Sequence, residues 1–330
     1  MGRETYRAAG VDIDRVKDAI GALTGKVTFR RKGPYGMLGG VGHYAGLIDF
    51  GSHVLALTTD GVGTKMLVAD ALADWRTVGI DCIAMNANDL FVMNVEPVAF
   101  VDYIATDRLS VEKMAQIGEG LNEGARLANL NLVGGETAQL PGLVNGLDLA
   151  GTCLGVQERE EVVTGETIRP GDVILGVPSS GIHSNGLSLA RRVVEMAGGY
   201  GGRLSDGTPL GKALLIPTKI YREALTACRK AEVHGMCHVT GSGLLNFPRL
   251  TRYGFDFTDP LPVPPVFAWL QEKGEIDPVE MYRTFNMGMG FAYILPEDEA
   301  KNVRRFIPSS RVVGEIVRKP GIMVKGFRVR

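Results

Sequence analysis

The sequence predicts a mixed α/β (α+β) chain in two domains, and three observations carry that prediction. Strand-like apolar runs and amphipathic helical stretches are mixed in both halves of the 330 residues. One polar segment bearing Gly and Pro, residues 158–172, separates the halves, so the expected domains are 1–165 and 166–330. The 44 glycines are about twice the average share, and they gather at junctions between elements rather than in a repeat or a linker.

Taken in order, the first convincing strand is Val54 to Thr58, running into Thr59-Asp60-Gly61. Helical periodicity follows in Lys65 to Leu72 and again from Val78 to Met93, with Pro97 as a stop. Val98 to Ile104 reads as a strand and Ser110 to Ala128 as an amphipathic helix with Ser110 as its N-cap. Leu130 to Val133 reads as a short strand ending in Gly134-Gly135-Glu136-Thr137, and Leu147 to Gln157 as another. The second half restarts with strand Val173 to Val177, a loop from Pro178 to Gly186 and a helix from Leu187 to Met196. A helix over Lys219 to Ala231, strand-like Met236 to Val239 and a rigid connection at Pro260 to Pro265 come next. Strand Phe291 to Leu295, helix Glu297 to Phe306 and strand Arg311 to Val317 close the chain. The pairing of these strands is not readable from the sequence. Met281, Met287 and Met289 read as core filling.

Composition removes several classes of function. Apolar residues at 45% and charged residues at 22% give ample material for a core. Lys plus Arg number 36 against 37 for Asp plus Glu, so the basic excess of a nucleic-acid binder is missing. No apolar run reaches transmembrane length, and Met1 to Gly10 has no signal-peptide stretch, so the expected location is cytoplasmic, with neither membrane nor nucleic acid as partner. Cys82, Cys153, Cys228 and Cys237 are scattered and read as free buried thiols. Cys237 beside His238 is no metal pair, because adjacent strand residues point to opposite faces. His43, His53 and His234 read as ordinary loop or surface histidines.

Four junctions pair glycine with polar groups at strand ends or helix starts. In Thr59-Asp60-Gly61-Val62-Gly63-Thr64-Lys65, two glycines permit close backbone approach, Lys65 opens a helix and Asp60 ends a strand. Phosphate bound with Mg²⁺ asks for that set, with backbone N–H groups and Lys65 on phosphate and Asp60 on the metal. The spacing is not that of a Walker A loop, and the plain alternative is a tight turn with a solvated Asp and Lys. In the helix from Asp81 to Asp89, Asp81 and Asn88 fall on nearly one face with Asp89 just round from them, among apolar neighbours. Buried carboxylates need partners, and a cation is one; a lysine is another. Glu136 after Gly134-Gly135 suits Mg²⁺ or a ligand hydroxyl, or is an exposed residue on a turn. His183, Ser184 and Asn185, before a helix, can grip an anion or shuttle a proton, but Ile182 stands where a nucleophile elbow needs Gly. The glycine-rich stretch Gly33 to Gly46 is a candidate lid; its Gly40, Gly42 and Ala45 fit a dinucleotide pattern only formally, since no strand precedes them.

In this order the motifs closely resemble the phosphoribosylformylglycinamidine cyclo-ligase (aminoimidazole ribonucleotide synthetase) family. The resemblance is carried by Tyr6 with Ala9 to Asp14, Thr59 to Lys65, Gly79-Ile80-Asp81 with Ala84-Met85 and Asn88-Asp89, Glu96-Pro97, and Asp102-Tyr103 with Ala105-Thr106. It continues through Leu132 to Ala138 with Pro141-Gly142, Ser179 to Asn185, His238 to Gly241 and Phe285 to Gly288, and so spans about Tyr6 to Gly314. The resemblance implies an N-terminal domain whose strands join a partner's in a homodimer barrel, and a C-terminal α/β domain. ATP and Mg²⁺ would bind in the cleft between them and across the dimer.

The implied reaction is ATP-dependent closure of formylglycinamidine ribonucleotide to 5-aminoimidazole ribonucleotide, through an iminophosphate, with release of ADP and phosphate. By resemblance, Asp60, Asp89 and Glu136 hold Mg²⁺ with Asn88 as helper, and Lys65 neutralises phosphate. Gly61, Gly63, Thr64, Thr137 and Ser184 line the ATP and substrate site, His183 and Asn185 contact phosphate or substrate, and the Gly33 to Gly46 segment closes over the nucleotide. Two positions depart from the family pattern: Ser242 replaces the middle of three glycines, and Gln139 stands where a glutamate is usual. Within the same superfamily, thiamine-monophosphate kinase is the nearest competing activity, and a catalytically silent nucleotide-binding paralogue is the non-enzymatic one.

Overall fold

Residues 4–39 and 43–330 are described by a computed structural model, so Gly40 and Gly42 of the expected lid lie outside the described residues. The strands described form two sheets, one of six strands in the N-terminal half and one of seven in the C-terminal half.

The chain opens with helix α1 (Ile13–Thr24), which the sequence reading did not place. Asp12 caps it by accepting from the Asp14 and Arg15 N–H groups, and none of its residues is buried. Strands β1 (Met37–Leu38), β2 (Gly46–Phe50) and β3 (His53–Gly61) follow, then helices α2 (Lys65–Leu72) and α3 (Val78–Phe91). Strand β4 (Glu96–Thr106), helix α4 (Val111–Ala128), strand β5 (Asn131–Gln139) and strand β6 (Leu147–Glu158) complete this half. Ser110 caps α4 as expected, accepting from the Lys113 N–H. The sheet order is β1-β2-β3-β6-β4-β5, with β4 and β5 parallel across the α4 crossover and the other pairs antiparallel.

Two glycine contacts fix this half. A Cβ on Gly79 would stand 2.3 Å from the Leu121 nitrogen, and one on Gly120 2.3 Å from the Arg76 oxygen, so α3 and α4 meet backbone to backbone. That seats α3 on one face of the sheet, where it carries Asp81, Asn88 and Asp89. In β5, Gly134-Gly135 is not the expected turn: the strand continues through Gln139. Gly135 is required there because a Cβ would lie 2.4 Å from the Asp102 carboxylate on β4.

The C-terminal half contains β7 (Val173–Pro178), α5 (Leu187–Met196), α6 (Leu210–Leu215), α7 (Glu223–Lys230), β8 (Gly235–His238) and β9 (Gly254–Phe257). Helices α8 (Pro265–Lys273) and α9 (Pro278–Thr284), strand β10 (Met289–Leu295), helix α10 (Glu297–Arg304) and strands β11 (Arg311–Val317), β12 (Ile322–Val324) and β13 (Phe327–Arg328) follow. The order is β13-β12-β9-β11-β7-β10-β8. Every residue of β10 is buried, which explains its unbroken apolar run. The helix expected from Lys219 starts only at Glu223, leaving the backbone of Lys219 and Tyr221 free to bond elsewhere. Ser242 adopts a left-handed φ of +80°, the conformation in which glycine is at ease.

One hydrophobic core runs through both halves, and Met281, Met287 and Met289 lie in it as expected. The four cysteines are free, three of them buried. Among the described residues, no helix is long and apolar enough to cross a membrane.

Candidate active site at the seam between the sheets

Asp60, the penultimate residue of β3, lies on the face that α3 covers, and the Asn86 amide of α3 donates to its backbone oxygen at 3.1 Å. The Asp60 carboxylate accepts the Gly61 N–H at 2.7 Å. Burial, and then the negative charge of Asp89 on α3, raise its pKa to about 6, against the opposing pulls of Gly61, His238 and Arg249. Two carboxylates that share a site without a cation behave in this way. Asp89 is held by His238, whose Nδ1 lies 2.9 Å from its Oδ1. Around the pair stand the Arg249 guanidinium, 5.6 Å from the centre of the Tyr44 ring, and the Tyr44 hydroxyl, 3.2 Å from Cys237 Sγ.

Several residues expected at the site belong instead to the structure beneath it. Lys65 is fully buried; its Nζ donates to Asp81 Oδ1 at 3.0 Å and to the Ile216 oxygen at 2.7 Å, and lies 2.8 Å from Asp81 Oδ2. Burial lowers its pKa, with Asp81 opposing. The Lys65 ammonium is thus engaged in an internal ion pair with Asp81. Asp81 also accepts the Thr218 N–H and hydroxyl, both at 2.7 Å, which makes it structural.

Asn88 is buried as well: it accepts the Tyr221 N–H at 2.9 Å and donates to the Lys219 oxygen at 2.9 Å. It ties the two halves together through the Tyr221 and Lys219 backbone. His183 is fully buried at a left-handed φ of +63°, and its Nε2 accepts the Ser180 N–H at 3.3 Å. Burial, reinforced by the charges of His238, Lys65 and Lys219, drives its pKa well below the usual histidine value. The imidazole is enclosed within its own loop, with Nε2 engaged by Ser180.

The register also moves Glu136. Asp60, Gly151, Asp102 and Gly135 are cross-strand partners in line, so they share the face beneath α3. Glu136 is the next residue after Gly135 and faces the other way, beside Tyr103. It is therefore on the uncovered face, not with Asp60 and Asp89. Thr137 is exposed on edge strand β5, and the Gln139 amide reaches the Asp107 oxygen at 3.4 Å. Among the described residues, no three His, Cys, Asp or Glu side chains form a cation cage. Asp60 and Asp89 nonetheless fit Mg²⁺, which is commonly held by one or two carboxylates together with substrate phosphates.

Other expected residues do reach the surface of the seam. Gly63 is exposed at a positive φ with open space around it, so a ligand can approach its backbone. Gly61 and Thr64 are half-buried, and the Thr64 hydroxyl meets Ser188 of α5 at 3.1 Å, across the two halves. Ser184 lies 3.3 Å from the Thr218 hydroxyl, and the Asn185 amide is 3.7 Å from Met85 Sδ; both are half-buried.

His234 is a further correction: it is buried, with its ring nitrogens 2.8 Å from Asp172 and 2.9 Å from Glu232. His43 is engaged too, with Nε2 3.0 Å from the Thr164 oxygen. Sequence reasoning missed Arg249 and Tyr44, which no spacing signals. It set His238 aside as a metal partner of Cys237 and otherwise quoted it only within the His238 to Gly241 motif.

Chemically, the seam offers a carboxylate pair for a cation, glycine backbone at a helix start for phosphate, and a nearby guanidinium. It offers no activated thiol, because burial pushes Cys153, Cys228 and Cys237 up to about 12. Positioning and electrostatic stabilisation, the requirements of phosphoryl transfer, are what remains.

Family models match both halves of the chain. The family described as "AIR synthase related protein, N-terminal domain" matches residues 42–157, and "AIR synthase related protein, C-terminal domain" matches residues 169–326. A phosphoribosylformylglycinamidine cyclo-ligase of Methanococcoides burtonii is 51% identical over 98% of both chains. A protein of the same name from Methanosarcina barkeri is 50% identical over 97% of both. Among solved structures, AaThiL complexed with AMPPCP and TMP superposes with a TM-score of 0.66 over 96% of this chain and 94% of its own, at 16% identity. That identity speaks for the fold alone.

Proposed function

This chain belongs to the family of AIR synthase related proteins, as a phosphoribosylformylglycinamidine cyclo-ligase, and on that premise we propose how its residues divide the work. The reaction is the ATP-dependent closure of formylglycinamidine ribonucleotide to 5-aminoimidazole ribonucleotide, with ADP and phosphate released, in purine biosynthesis. The observation that carries this reading is identity of about half the residues to named cyclo-ligases over nearly the whole length of both chains. The paired carboxylates at the seam support it.

Asp60 and Asp89 hold Mg²⁺ brought with ATP. The ion supplies charge neutralisation for the phosphates and the transferring group. The Gly61 to Gly63 backbone and the Thr64 hydroxyl hold phosphate at the start of α2. Ser184 and Asn185 bind substrate or nucleotide from the C-terminal half, so both halves must be in place for turnover. Lys65, Asp81, Asn88 and His183 keep the two halves in register from within. Residues 1–165 form the nucleotide-binding and dimerising domain, and residues 166–330 the α/β domain that completes the cleft. Glu136 and Thr137 sit at the uncovered sheet, a place that suits service across a homodimer.

The test is product formation by the purified protein with Mg-ATP and formylglycinamidine ribonucleotide, with Asp60→Asn as control. Loss of a metal ligand of this kind predicts a fall in turnover on the order of 10²–10³-fold, with melting unchanged or raised. Phosphorylation of thiamine monophosphate without imidazole product would move the activity elsewhere in the superfamily. ATP binding with neither product would leave a silent paralogue.

A further inference from the structure

We propose that His238 is a positioning residue for Asp89, set in a fixed tautomer by Asn88, so that the C-terminal half orients a cation ligand of the N-terminal half. The inference deepens the proposed function and rests on the reading of Asp89 as a cation ligand.

Hydrogen-bond chemistry alone fixes the chain of contacts. The Tyr221 N–H lies 2.9 Å from Asn88 Oδ1, so that atom is the carbonyl oxygen. The other atom, Nδ2, is then the donor, and it faces the Lys219 oxygen at 2.9 Å and His238 Nε2 at 3.3 Å. Reversing the amide would set oxygen against the Lys219 carbonyl and N–H against the Tyr221 N–H, two conflicts at once. His238 Nε2 is therefore bare, and Nδ1 carries the hydrogen. Nδ1 is the nitrogen 2.9 Å from Asp89 Oδ1, which as a carboxylate can only accept. Both ends of the relay thus demand the same tautomer.

The placement gives the relay its purpose. Asn88 and Asp89 are neighbours near the end of α3, while Tyr221, Lys219 and His238 come from the C-terminal half. Asn88 and His238 are fully buried, and the Asp89 side chain retains slight exposure. Asp89 therefore has one oxygen anchored on the enclosed side. Orienting hydrogen bonds of this kind are worth roughly 10- to 100-fold in metal affinity.

The first measurement needs no variant: ¹⁵N-histidine NMR of the complete chain should show His238 protonated at Nδ1 and bare at Nε2. An Nε2–H tautomer would overturn the relay. The second is the affinity for Mn²⁺ in the presence of ATP. His238→Ala should weaken it by about 10-fold or more, while His238→Asn, whose side-chain N–H can stand in for Nδ1–H, should recover most of the loss. The apparent metal requirement for turnover should rise in parallel, with the KM for the ribonucleotide changed little. A folded His238→Ala protein with wild-type Mn²⁺ affinity would reduce His238 to a packing residue. Failure of the wild type itself to bind Mn²⁺ with ATP, with the Nδ1–H tautomer present, would count against the metal site rather than against the relay.

Discussion

Strands β10 and β5 are two answers to one problem. All seven residues of β10 are buried, with Phe291 stacked 5.1 Å from Tyr221 and tilted against Tyr293 at 5.2 Å, so this strand is enclosed by its own chain. In β5, residues 131–137 are exposed, and the neighbouring strands present Leu57, Val101 and Tyr103 at 41%, 39% and 44% exposure on the face opposite α3. Among the described residues, the N-terminal sheet is covered by α3 on one face, and the opposite face presents these apolar side chains. Apolar strands left open in this way mark an interface, and they fit the expected homodimer. One half is therefore closed within the chain, while the other leaves apolar residues open on one face of its sheet.

The largest effect should come from attacking the closed sheet. Phe291→Ala removes a buried aromatic ring and should cost about 3–5 kcal/mol in urea unfolding. A loss below about 1 kcal/mol would mean the sheet collapses around the gap more readily than its packing implies.

The seam between the halves should be nearly as sensitive, for an electrostatic reason. Lys65→Met leaves Asp81 buried without its cation, a loss of about 3–5 kcal/mol. Pairing it with Asp81→Leu should restore part of that stability, although the Thr218 groups would then lack their acceptor. If Lys65→Met melts normally and only ATP affinity falls, Lys65 is a phosphate ligand after all.

The open face should respond in the opposite way. Tyr103→Glu should change the stability of the single chain by no more than about 0.5 kcal/mol, yet shift sedimentation from dimer to monomer. Unchanged sedimentation would remove this face as the interface.

The smallest effect is a pH dependence at Asp60. Its folded pKa is raised to about 6, chiefly by burial, so protonation favours the folded state. That contribution is fully present below the unfolded value of about 4 and is lost as pH rises through the folded value. Melting of the wild type relative to Asp60→Asn should fall across this window, leaving the Asn variant the more stable at pH 8. Mg²⁺ with ATP should close the gap for the wild type only. A difference that does not vary with pH would show that Asp60 lies in a more polar setting.

Much of the fold was legible because it is local. The periodicity of Lys65 to Leu72, the cap at Ser110 and the apolar run of Phe291 to Leu295 each depend on a few consecutive residues, and the structure contains all three. Strand β5 was read too short because glycine weakens a strand signal, and the need for Gly135 lies on another strand, at Asp102. Strands β12 and β13 are too short to announce themselves, and α1 buries nothing that a core would require.

The site divides along the same line. By itself the sequence determined which chemical groups are present and their order: Asp60 before a glycine pair, Asp89 on a helix among apolar residues, and a His-Ser-Asn loop before another helix. Only the tertiary structure decided which of them are enclosed and which reach the surface of the seam. Lys65 and His183 carry the right chemistry in the right motifs, but both are fully buried, and Lys65 is engaged by Asp81 and Ile216, which spacing does not connect to it. Glu136 was separated from Asp60 by a single step of register, because successive strand residues face opposite ways. Residue type is a local property of the chain, whereas exposure and charge environment depend on everything that packs around it.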